Sequence, residues 1–456
     1  QLQIPVEHNW MAMRGKLVQD EKRGTFPPFE MIKASLESEL DIWAGKRENR
    51  ANWVPDDIKP KLADENGGWN KQADMLYFAG CTASFVETDV AEASVRLLTD
   101  AGYDIGYMGT DEACCGIPMK VSGKWDMFET IYDHNVSEAR KRGAKTIITS
   151  CPACALVWKE MYANIAADRG EPYEFEVKHY SELVSEALGD GRLELKNPIE
   201  GRLTFHDSCH AGRAQGLYEP PRDMLKAIPG VDYVEMEHNR EEGYCCGSVL
   251  TLIGEPAVAP VLGKFRLQEA LDVKADTVVA LCPCCQVQLR DSNIKNDMGL
   301  KVDDLSRIVA QAAGYDIPES TEQAMYYWGY FEKFIFLMEP EQMATLMQRV
   351  FPQMMDAMPV GMAPMMRAMK HVPGGLGMME KMMPTLFPMM APAILGRVMP
   401  DLIAAVEEYI GEMPADMGEL MPDLLPKTMD SLMPTYLPEL IPFLVPAFID
   451  YVRNEK

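Results

Sequence analysis

The sequence predicts an α/β protein with two pseudo-symmetric domains, each built on a parallel β-sheet flanked by helices, followed by an α-helical region rich in methionine and proline. Five cysteines that recur in the same order predict the two domains, together with strand and helix patterns that alternate around them. A change in composition predicts the helical region: 23 of the 34 methionines follow residue 324, and 16 of the 32 prolines follow residue 339. We expect a helical connector at 1–73, domains at 74–200 and 201–330, and the Met/Pro-rich region at 331–456.

Ten of the eleven cysteines form two sets with matching spacing. The first set is Cys81, Cys114, Cys115, Cys151 and Cys154, and the second is Cys209, Cys245, Cys246, Cys282 and Cys285. In both sets 35 residues separate the adjacent pair from the CxxC, and the last four cysteines of the two sets differ by 131 in number. Cys284 has no counterpart, so we expect it to be a spare thiol and not a ligand.

The same series of predicted elements surrounds each set. The segments MLYFAG (75–80) and RLTFHDS (202–208) are strand patterns that end just before Cys81 and Cys209. A helical pattern follows each, and a second strand pattern leads to each Cys-Cys-Gly. A third strand precedes each CxxC, and a helix follows it. This alternation is typical of parallel sheets, and it places the cysteines at strand-to-helix corners, where α/β folds carry their sites.

Composition narrows the classes of function. The net charge of −25 disfavours nucleic acid as a partner, because phosphate binding requires lysine and arginine. It also disfavours purely electrostatic attachment to anionic lipid. The first thirty residues are polar and do not resemble a secretory signal. Cysteines in a reducing compartment serve metal sites or redox chemistry, so we expect a cytoplasmic protein with dedicated cysteine sites.

Five thiolates per set are compatible with several kinds of chemistry. Zinc and an ordinary cubane iron–sulfur cluster each take four ligands, whereas a cluster with an additional or irregular iron arrangement could use five. The glycine after each cysteine pair allows close approach of the backbone and supplies N–H donors. Pro152 and Pro283 favour helix N-termini directed at the thiolates. Structural disulfides and a thioredoxin-type CxxC are further alternatives, although neither explains all five cysteines.

The two motifs resemble the cysteine-rich CCG domain, whose pattern is Cys-x(31–39)-Cys-Cys-x(35–36)-Cys-x-x-Cys. Tandem copies resemble the catalytic chain of heterodisulfide reductase, in its B-type form and in the equivalent half of its D-type form. The segments HDSCHAGR (206–213) and LCPCCQVQ (281–288) are similar to the flanking sequences of that family. The resemblance implies that the five cysteines of each set hold a noncubane [4Fe-4S] cluster, and that a disulfide is cleaved between the two clusters.

An iron–sulfur oxidoreductase subunit that interconverts a disulfide and a dithiol within a larger complex is therefore the first hypothesis. The alternative is a pure electron-transfer subunit that links a cytoplasmic donor to a membrane quinone pool, and a zinc-stabilised scaffold is a third hypothesis. The chain has no ferredoxin motif and no flavin or nicotinamide fingerprint. We therefore expect a ferredoxin-type or flavin subunit as electron supplier, or a ferredoxin domain upstream of Gln1.

Three polar residues near Cys209 are candidate catalytic groups. His206 and His210 flank this cysteine, and histidine can donate a proton to a leaving thiolate near neutral pH. Arg213 could offset thiolate charge or hold an anionic substrate. The alternatives are ordinary structural histidines and a surface ion pair.

The Met/Pro-rich region predicts a string of short amphipathic helices, each restarted at a proline. Met-Pro occurs six times in this region. Such segments are too short and too interrupted by proline to span a bilayer, but they could lie on one. Because methionine-rich surfaces adapt to irregular apolar partners, we expect the region to dock on a membrane subunit or on the cytoplasmic face of the membrane. The alternative is a helical domain whose methionines pack a core of their own.

Overall fold

The computed structural model describes residues 6–20, 26–252 and 256–455. Its contacts divide the chain into two units. The cysteine unit comprises Gln1–Gly15 and Glu39–Trp328, and the C-terminal unit comprises Lys16–Ser38 and Gly329–Lys456. The predicted domain boundaries at 73, 200 and 330 stay predictions.

The helices and strands alternate through most of the cysteine unit. The N-terminal region contains α1 (Val6–Gln19), α2 (Pro28–Glu39) and α3 (Lys59–Leu62). The first half then contains β1 (Met75–Phe78), α4 (Cys81–Phe85), α5 (Thr88–Asp100), β2 (Ile105–Tyr107), α6 (Ile117–Ser122), α7 (Trp125–Lys141), β3 (Thr146–Thr149), α8 (Pro152–Leu156), α9 (Tyr162–Arg169), β4 (Glu176–His179) and α10 (Tyr180–Gly189). The second half contains β5 (Gly201–Phe205), α11 (Gly212–Gln215), α12 (Glu219–Lys226), β6 (Val231–Val234), α13 (Ser248–Leu252), α14 (Ala259–Asp272), β7 (Thr277–Ala280), α15 (Pro283–Lys295), β8 (Lys301–Asp304) and α16 (Leu305–Ala313).

Each half is built on a four-stranded parallel sheet, in the order β2-β1-β3-β4 in the first half and β6-β5-β7-β8 in the second. This confirms the predicted α/β class and the three predicted strands of each half. The outer strands β4 and β8 were missed. Each is only four residues long and carries charged residues, EVKH in one and KVDD in the other, so neither gives a distinct hydrophobic pattern.

The two halves share one hydrophobic core. Buried side chains from both sheets belong to the same cluster, including Tyr77 on β1 and Val279 on β7. Helices α5 and α16 pack against each other across the boundary. The Glu87 carboxylate and the Arg290 guanidinium form a buried ion pair, 2.9 Å apart, that also joins the halves. These contacts hold the carboxyl ends of β1 and β3 in a fixed position relative to those of β5 and β7.

The last part of the chain is helical, with α17 (Thr321–Leu337), α18 (Pro340–Gln348), α19 (Phe351–Ala357), α20 (Met362–Met369), α21 (Gly375–Ile410) and α22 (Ala415–Asn454). The prediction of short helices restarted at each proline is wrong for α22, which runs for 40 residues, and for most of α21, which spans 36 residues with one sharp bend. Helix α22 contains six internal prolines, of which the last four are spaced by four residues, at Pro434, Pro438, Pro442 and Pro446. None of these four is buried. The backbone carbonyl groups that lose an N–H partner to these prolines therefore face outward. The opposite face of the helix is buried, and its packing allows the helix to continue past each proline.

Helix α22 also meets the length and composition requirements of a membrane span, contrary to the prediction that no segment of this region is long enough. Half of its most apolar 18-residue stretch is buried inside the protein, as in the core helix of a soluble domain. Helix α21 turns by 87° between Gly375–Ala391 and Ile394–Ile410. Many methionines of the C-terminal unit are buried, among them Met343, Met383 and Met421. This unit therefore has a methionine core of its own.

Candidate functional site

All ten paired cysteines lie at the carboxyl ends of the strands, as predicted. Cys81 is the first residue of α4, directly after β1. Cys151 and Cys282 occupy the N-cap positions of α8 and α15, and the following proline is the first helical residue in both cases. The Cys-Cys-Gly segments follow β2 and β6 and lead into α6 and α13. Because both sheets are parallel, these corners meet at one edge of each sheet.

The five sulfurs of the first set form a connected group. The Sγ atoms of Cys81 and Cys114 lie 3.6 Å apart. Cys115 lies close enough to Cys114 and Cys154 for both to lower its pKa, and Cys151 in turn raises the pKa of Cys154. All five cysteines are buried.

The second set repeats this arrangement. The Sγ atoms of Cys246 and Cys285 lie 3.2 Å apart. Cys245 lies close enough to Cys209 and Cys246 for both to lower its pKa, and Cys282 raises the pKa of Cys285. Unlike the first set, this set is partly accessible, because Cys209 and Cys245 are only half-buried. The structure therefore brings together the five cysteines of each predicted set, and the second set is partly accessible to solvent.

The two sets meet at Cys151 and Cys282. These thiols, one from each CxxC, lie close enough to shift each other's pKa: Cys282 raises that of Cys151, and Cys151 lowers that of Cys282. The ten sulfurs thus form one continuous pseudo-symmetric series with this pair at its centre. Cys284 lies beside the series, where the neighbouring Cys282 raises its pKa.

Crowding of the thiols shifts their ionisation. Hydrogen bonds from Cys114 and Cys154 lower the pKa of Cys115 to about 6. Hydrogen bonds from Cys209 and Cys246 lower the pKa of Cys245 well below its usual range. The pKa of Cys81 is raised, through its hydrogen bond to Cys114 and through burial. Each Cys-Cys pair therefore supplies a thiol that ionises easily, and the thiolate is the form that binds metal.

Glycines beside the cysteine sulfurs leave space for them and supply backbone N–H donors. The backbone N–H of Gly116 donates to Cys114 Sγ, and that of Gly247 donates to Cys245 Sγ, both at 3.4 Å. The glycine after each pair thus supplies an N–H donor to a cysteine sulfur, and its approach to inorganic sulfur stays a prediction. Both glycines have positive φ, +84° and +93°. A Cβ on Gly80 would lie 3.0 Å from Cys154 Sγ. Two groups of five soft ligands with backbone donors fit an iron–sulfur centre in each half.

Buried acids fix the corners that carry Cys81 and Cys209. Glu112 accepts hydrogen bonds from the backbone N–H groups of Ala79 and Gly80, both at 2.9 Å, and pairs with Arg50 at 3.3 Å. In the second half, Asp207 binds both terminal nitrogens of Arg222, at 2.8 and 2.9 Å. Sequence analysis missed these residues, because their partners are distant in sequence.

The three predicted catalytic residues occupy different environments. His206 is completely buried, and burial together with the charge of Arg266 lowers its pKa to about 4, so the ring is neutral at physiological pH. His210 is half-buried, and Arg213 is exposed. Arg213 donates a hydrogen bond of 2.6 Å to the carbonyl of Gly243, in the loop that leads to Cys245. His210 and Arg213 therefore lie on the accessible side of the second set, whereas His206 lies behind it.

Two parallel α/β halves, each with five clustered cysteines at a strand-to-helix edge, define a tandem cysteine-rich protein of the iron–sulfur oxidoreductase class. Residues 75–159 and 203–290 match the cysteine-rich domain family CCG. The chain is 30% identical over 312 residues to the D subunit of the dihydromethanophenazine:CoB–CoM heterodisulfide reductase of Methanosarcina acetivorans, covering 68% of this chain and 73% of the relative. The chain belongs to the family that comprises this D subunit and related iron–sulfur oxidoreductases.

Other relatives match smaller parts of the chain. The EtfAB:quinone oxidoreductase of Syntrophomonas wolfei is 30% identical over 58% of this chain and 37% of its own length. The B subunit of the CoM/CoB fumarate reductase of Methanothermobacter marburgensis is 32% identical over 52% of this chain and 45% of its own length. All three relatives are named as oxidoreductases, and two of them are named as subunits.

Proposed function

We propose that the ten paired cysteines hold two noncubane [4Fe-4S] clusters, one in each set, and that the protein interconverts a small-molecule disulfide and two thiols. The contact between Cys151 and Cys282 carries this proposal, because it brings the two sets of five ligands together at one place. Reduction of a disulfide consumes two electrons and two protons and releases two thiols. Bound clusters would supply one-electron carriers and iron with affinity for sulfur.

The residues of the chain would supply the remaining requirements. The accessible side of the second set, at Cys209 and Cys245, is the proposed route for substrate. His210 lies at this side and can exchange a proton with a departing thiolate. Arg213 provides a positive charge there, suited to a substrate with carboxylate or phosphate groups. His206 belongs to the proposed site because a ring nitrogen lies within 4.8 Å of the sulfurs of Cys246 and Cys285.

The purified protein should contain about eight irons and a matching amount of sulfide. Mössbauer spectra should differ from those of ordinary cubanes, because five thiolates and two adjacent cysteines give the irons unequal surroundings. With a reduced electron donor, the protein should cleave a low-molecular-weight disulfide such as a coenzyme-type heterodisulfide. Stoichiometric zinc with little iron would refute the cluster proposal, whereas full iron content without disulfide turnover would refute only the reaction.

Electron transfer to a quinone pool is the second candidate function. It is favoured by one relative named as a quinone oxidoreductase. In this role the protein should oxidise a reduced flavoprotein or ferredoxin and reduce a short-chain quinone in the presence of a membrane fraction. In either role we propose a ferredoxin-type or flavin subunit as electron supplier.

We also propose that the C-terminal unit docks on a membrane subunit or on the cytoplasmic face of the membrane. Three methionines on α21 support this: Met378, Met382 and Met389 are 54%, 42% and 76% exposed, although other methionines of the unit are buried. Their spacing of four and seven residues places them along one side of the helix. Attachment through them should resist salt and yield to detergent.

The triple variant Met378→Gln, Met382→Gln and Met389→Gln should shift the full-length protein from the membrane fraction to the soluble fraction. Exposed side chains contribute little to the core, so the variant should fold and retain its iron. Met365→Gln, which replaces a methionine that is 49% exposed on α20, is the matched control and should leave the distribution unchanged. Equal distribution of wild-type and triple-variant protein would contradict docking through this side of α21.

A further inference from the structure

The pseudo-symmetry of the two halves shows where their sites differ. Counted from the first cysteine of each set, Phe78 corresponds to His206 and Gly80 corresponds to Ser208. Counted from the last cysteine, Ala155 corresponds to Gln286. At all three positions the first half has an apolar or small residue and the second half has a polar one. All three polar residues are buried.

His206 lies behind the second set with one ring nitrogen engaged and the other free. Arg266 Nε donates to His206 Nδ1 at 3.2 Å, and Arg266 is itself held by Glu269 Oε2 at 2.7 Å and by the carbonyl of Phe205 at 3.2 Å. A guanidinium can only donate, so Nδ1 is the acceptor and the neutral ring carries its hydrogen on Nε2. His206 Nε2 is buried and has no hydrogen-bond partner among the residues that the structure describes.

The sulfurs of Cys246 and Cys285 are the neighbours of this ring. One ligand atom of each of these three residues lies within 4.8 Å of the others. An unpaired N–H in a protein interior is destabilising unless a bound group accepts its hydrogen bond. Thiolate or inorganic sulfide at the second set would be such an acceptor.

The other two polar residues are close to the same sulfurs. Ser208 Oγ lies 3.8 Å from Cys285 Sγ, at the position where the first half has only Gly80. Gln286 follows Cys285 directly, and both polar atoms of its buried amide have no partner in the described part of the protein. The second set therefore has additional hydrogen-bonding side chains around it, which the first set lacks at the matching positions.

We propose that His206, fixed by Arg266 as the tautomer with its hydrogen on Nε2, donates a hydrogen bond to sulfur of the second cluster and makes this cluster the more easily reduced of the two. This inference rests on the proposed function, because it requires a cluster in each set. Hydrogen bonds to sulfur stabilise the more negative, reduced state, and greater solvent access acts in the same direction. The partial exposure of Cys209 and Cys245 therefore adds to the effect of His206. His206 would touch the cofactor, and Arg266 would act as a positioning residue.

Redox titration of the iron-loaded protein, followed by electron paramagnetic resonance, should resolve two midpoint potentials. His206→Phe, which copies the residue of the first half, should lower the higher potential and leave the other unchanged. His206→Gln keeps an N–H donor and should restore part of the shift. Ser208→Gly should lower the same potential without disturbing Arg266. Phe78→Leu, at the matching position of the first half, is the control and should not move the higher potential.

Iron content separates failure of this inference from failure of the proposed function. Two clusters whose potentials do not respond to His206→Phe would overturn the inference and leave the function intact. Loss of the second cluster's iron in His206→Phe would make His206 a ligand and would also overturn it. Nitrogen-15 labelling of histidine provides an independent measurement: a hydrogen bond predicts weak nitrogen hyperfine coupling, and direct ligation predicts strong coupling. Absence of iron in the wild-type protein would refute the proposed function itself.

Discussion

Replacing Cys285 with serine should remove the iron of the second set, about half of the total, and abolish disulfide turnover. Cys285 Sγ lies 3.2 Å from Cys246 Sγ and close enough to Cys282 for that thiol to raise its pKa, so Cys285 links Cys282 to the Cys-Cys pair of the second set. A serine hydroxyl ionises with much more difficulty than a thiol and is a poor ligand for iron. Iron and sulfide analysis, with Mössbauer spectroscopy of the remaining cluster, would measure the loss.

The neighbouring Cys284 provides a matched control. Cys284→Ser changes the same atom one residue away, at a thiol that has no counterpart in the first half. This variant should keep its full iron content, although Cys284 lies close enough to Cys282 for its pKa to be raised by it. Equal loss of iron in the two variants, or loss only in Cys284→Ser, would show that the ligand of the second set is assigned to the wrong thiol.

Replacing Arg222 with methionine should lower the free energy of unfolding by about 3–5 kcal/mol, because it leaves the Asp207 carboxylate buried beside a neutral side chain. The side chains of Arg222 and Asp207 are 0% and 2% exposed, and two hydrogen bonds join them. Asp207 also accepts a hydrogen bond from the backbone N–H of Arg240 at 2.7 Å, so it fixes the loop before Cys245 as well. Urea unfolding followed by tryptophan fluorescence would measure the change.

The effect of Arg222→Met should depend on pH. Burial by itself raises the pKa of Asp207, but the hydrogen bonds and charge of Arg222 outweigh it and leave the pKa below its usual value. The stabilisation is therefore present above the pKa of an unfolded aspartate, about 3.9, and is lost as pH falls through the lower folded value. The difference between wild-type and variant should be constant near neutrality. It should begin to shrink as pH falls through the pKa of Asp207 in the variant, which burial without Arg222 raises above the unfolded value of about 3.9, and it should continue to shrink down to the lower pKa of the wild type.

An exposed ion pair supplies the control for this variant. Lys145 and Asp74 are 71% and 70% exposed, so Asp74→Ala should leave the unfolding midpoint unchanged. A large effect of Asp74→Ala, or no effect of Arg222→Met, would contradict the argument from burial. The absence of an effect of Arg222→Met would mean that the buried carboxylate of Asp207 does not depend on the charge of Arg222.

The C-terminal unit shows why a local rule can give the wrong length for a helix. A proline removes one backbone donor and usually ends or kinks a helix, so each Met-Pro predicted a new start. In α22 the last four prolines lie away from the buried face, while Leu440, Leu444 and Phe448 are completely buried on it. Packing of the buried face compensates for the missing hydrogen bonds, and this compensation depends on residues outside the helix.

The two sets of five cysteines could be identified from the sequence, because spacing is a one-dimensional property: a repeat of 131 residues relates four cysteines of each set, and an offset of 128 relates Cys81 to Cys209. The alternation of strands and helices placed all ten at corners of parallel sheets. The sequence could not determine how the sets face each other. The proximity of Cys151 and Cys282 depends on the packing of one half against the other. The same holds for the environment of His206, whose tautomer follows from the hydrogen bond that Arg266, 60 residues further along the chain, donates to Nδ1. Contacts between residues distant in sequence are decided by the packing of helices on sheets, and only the tertiary structure contains that information.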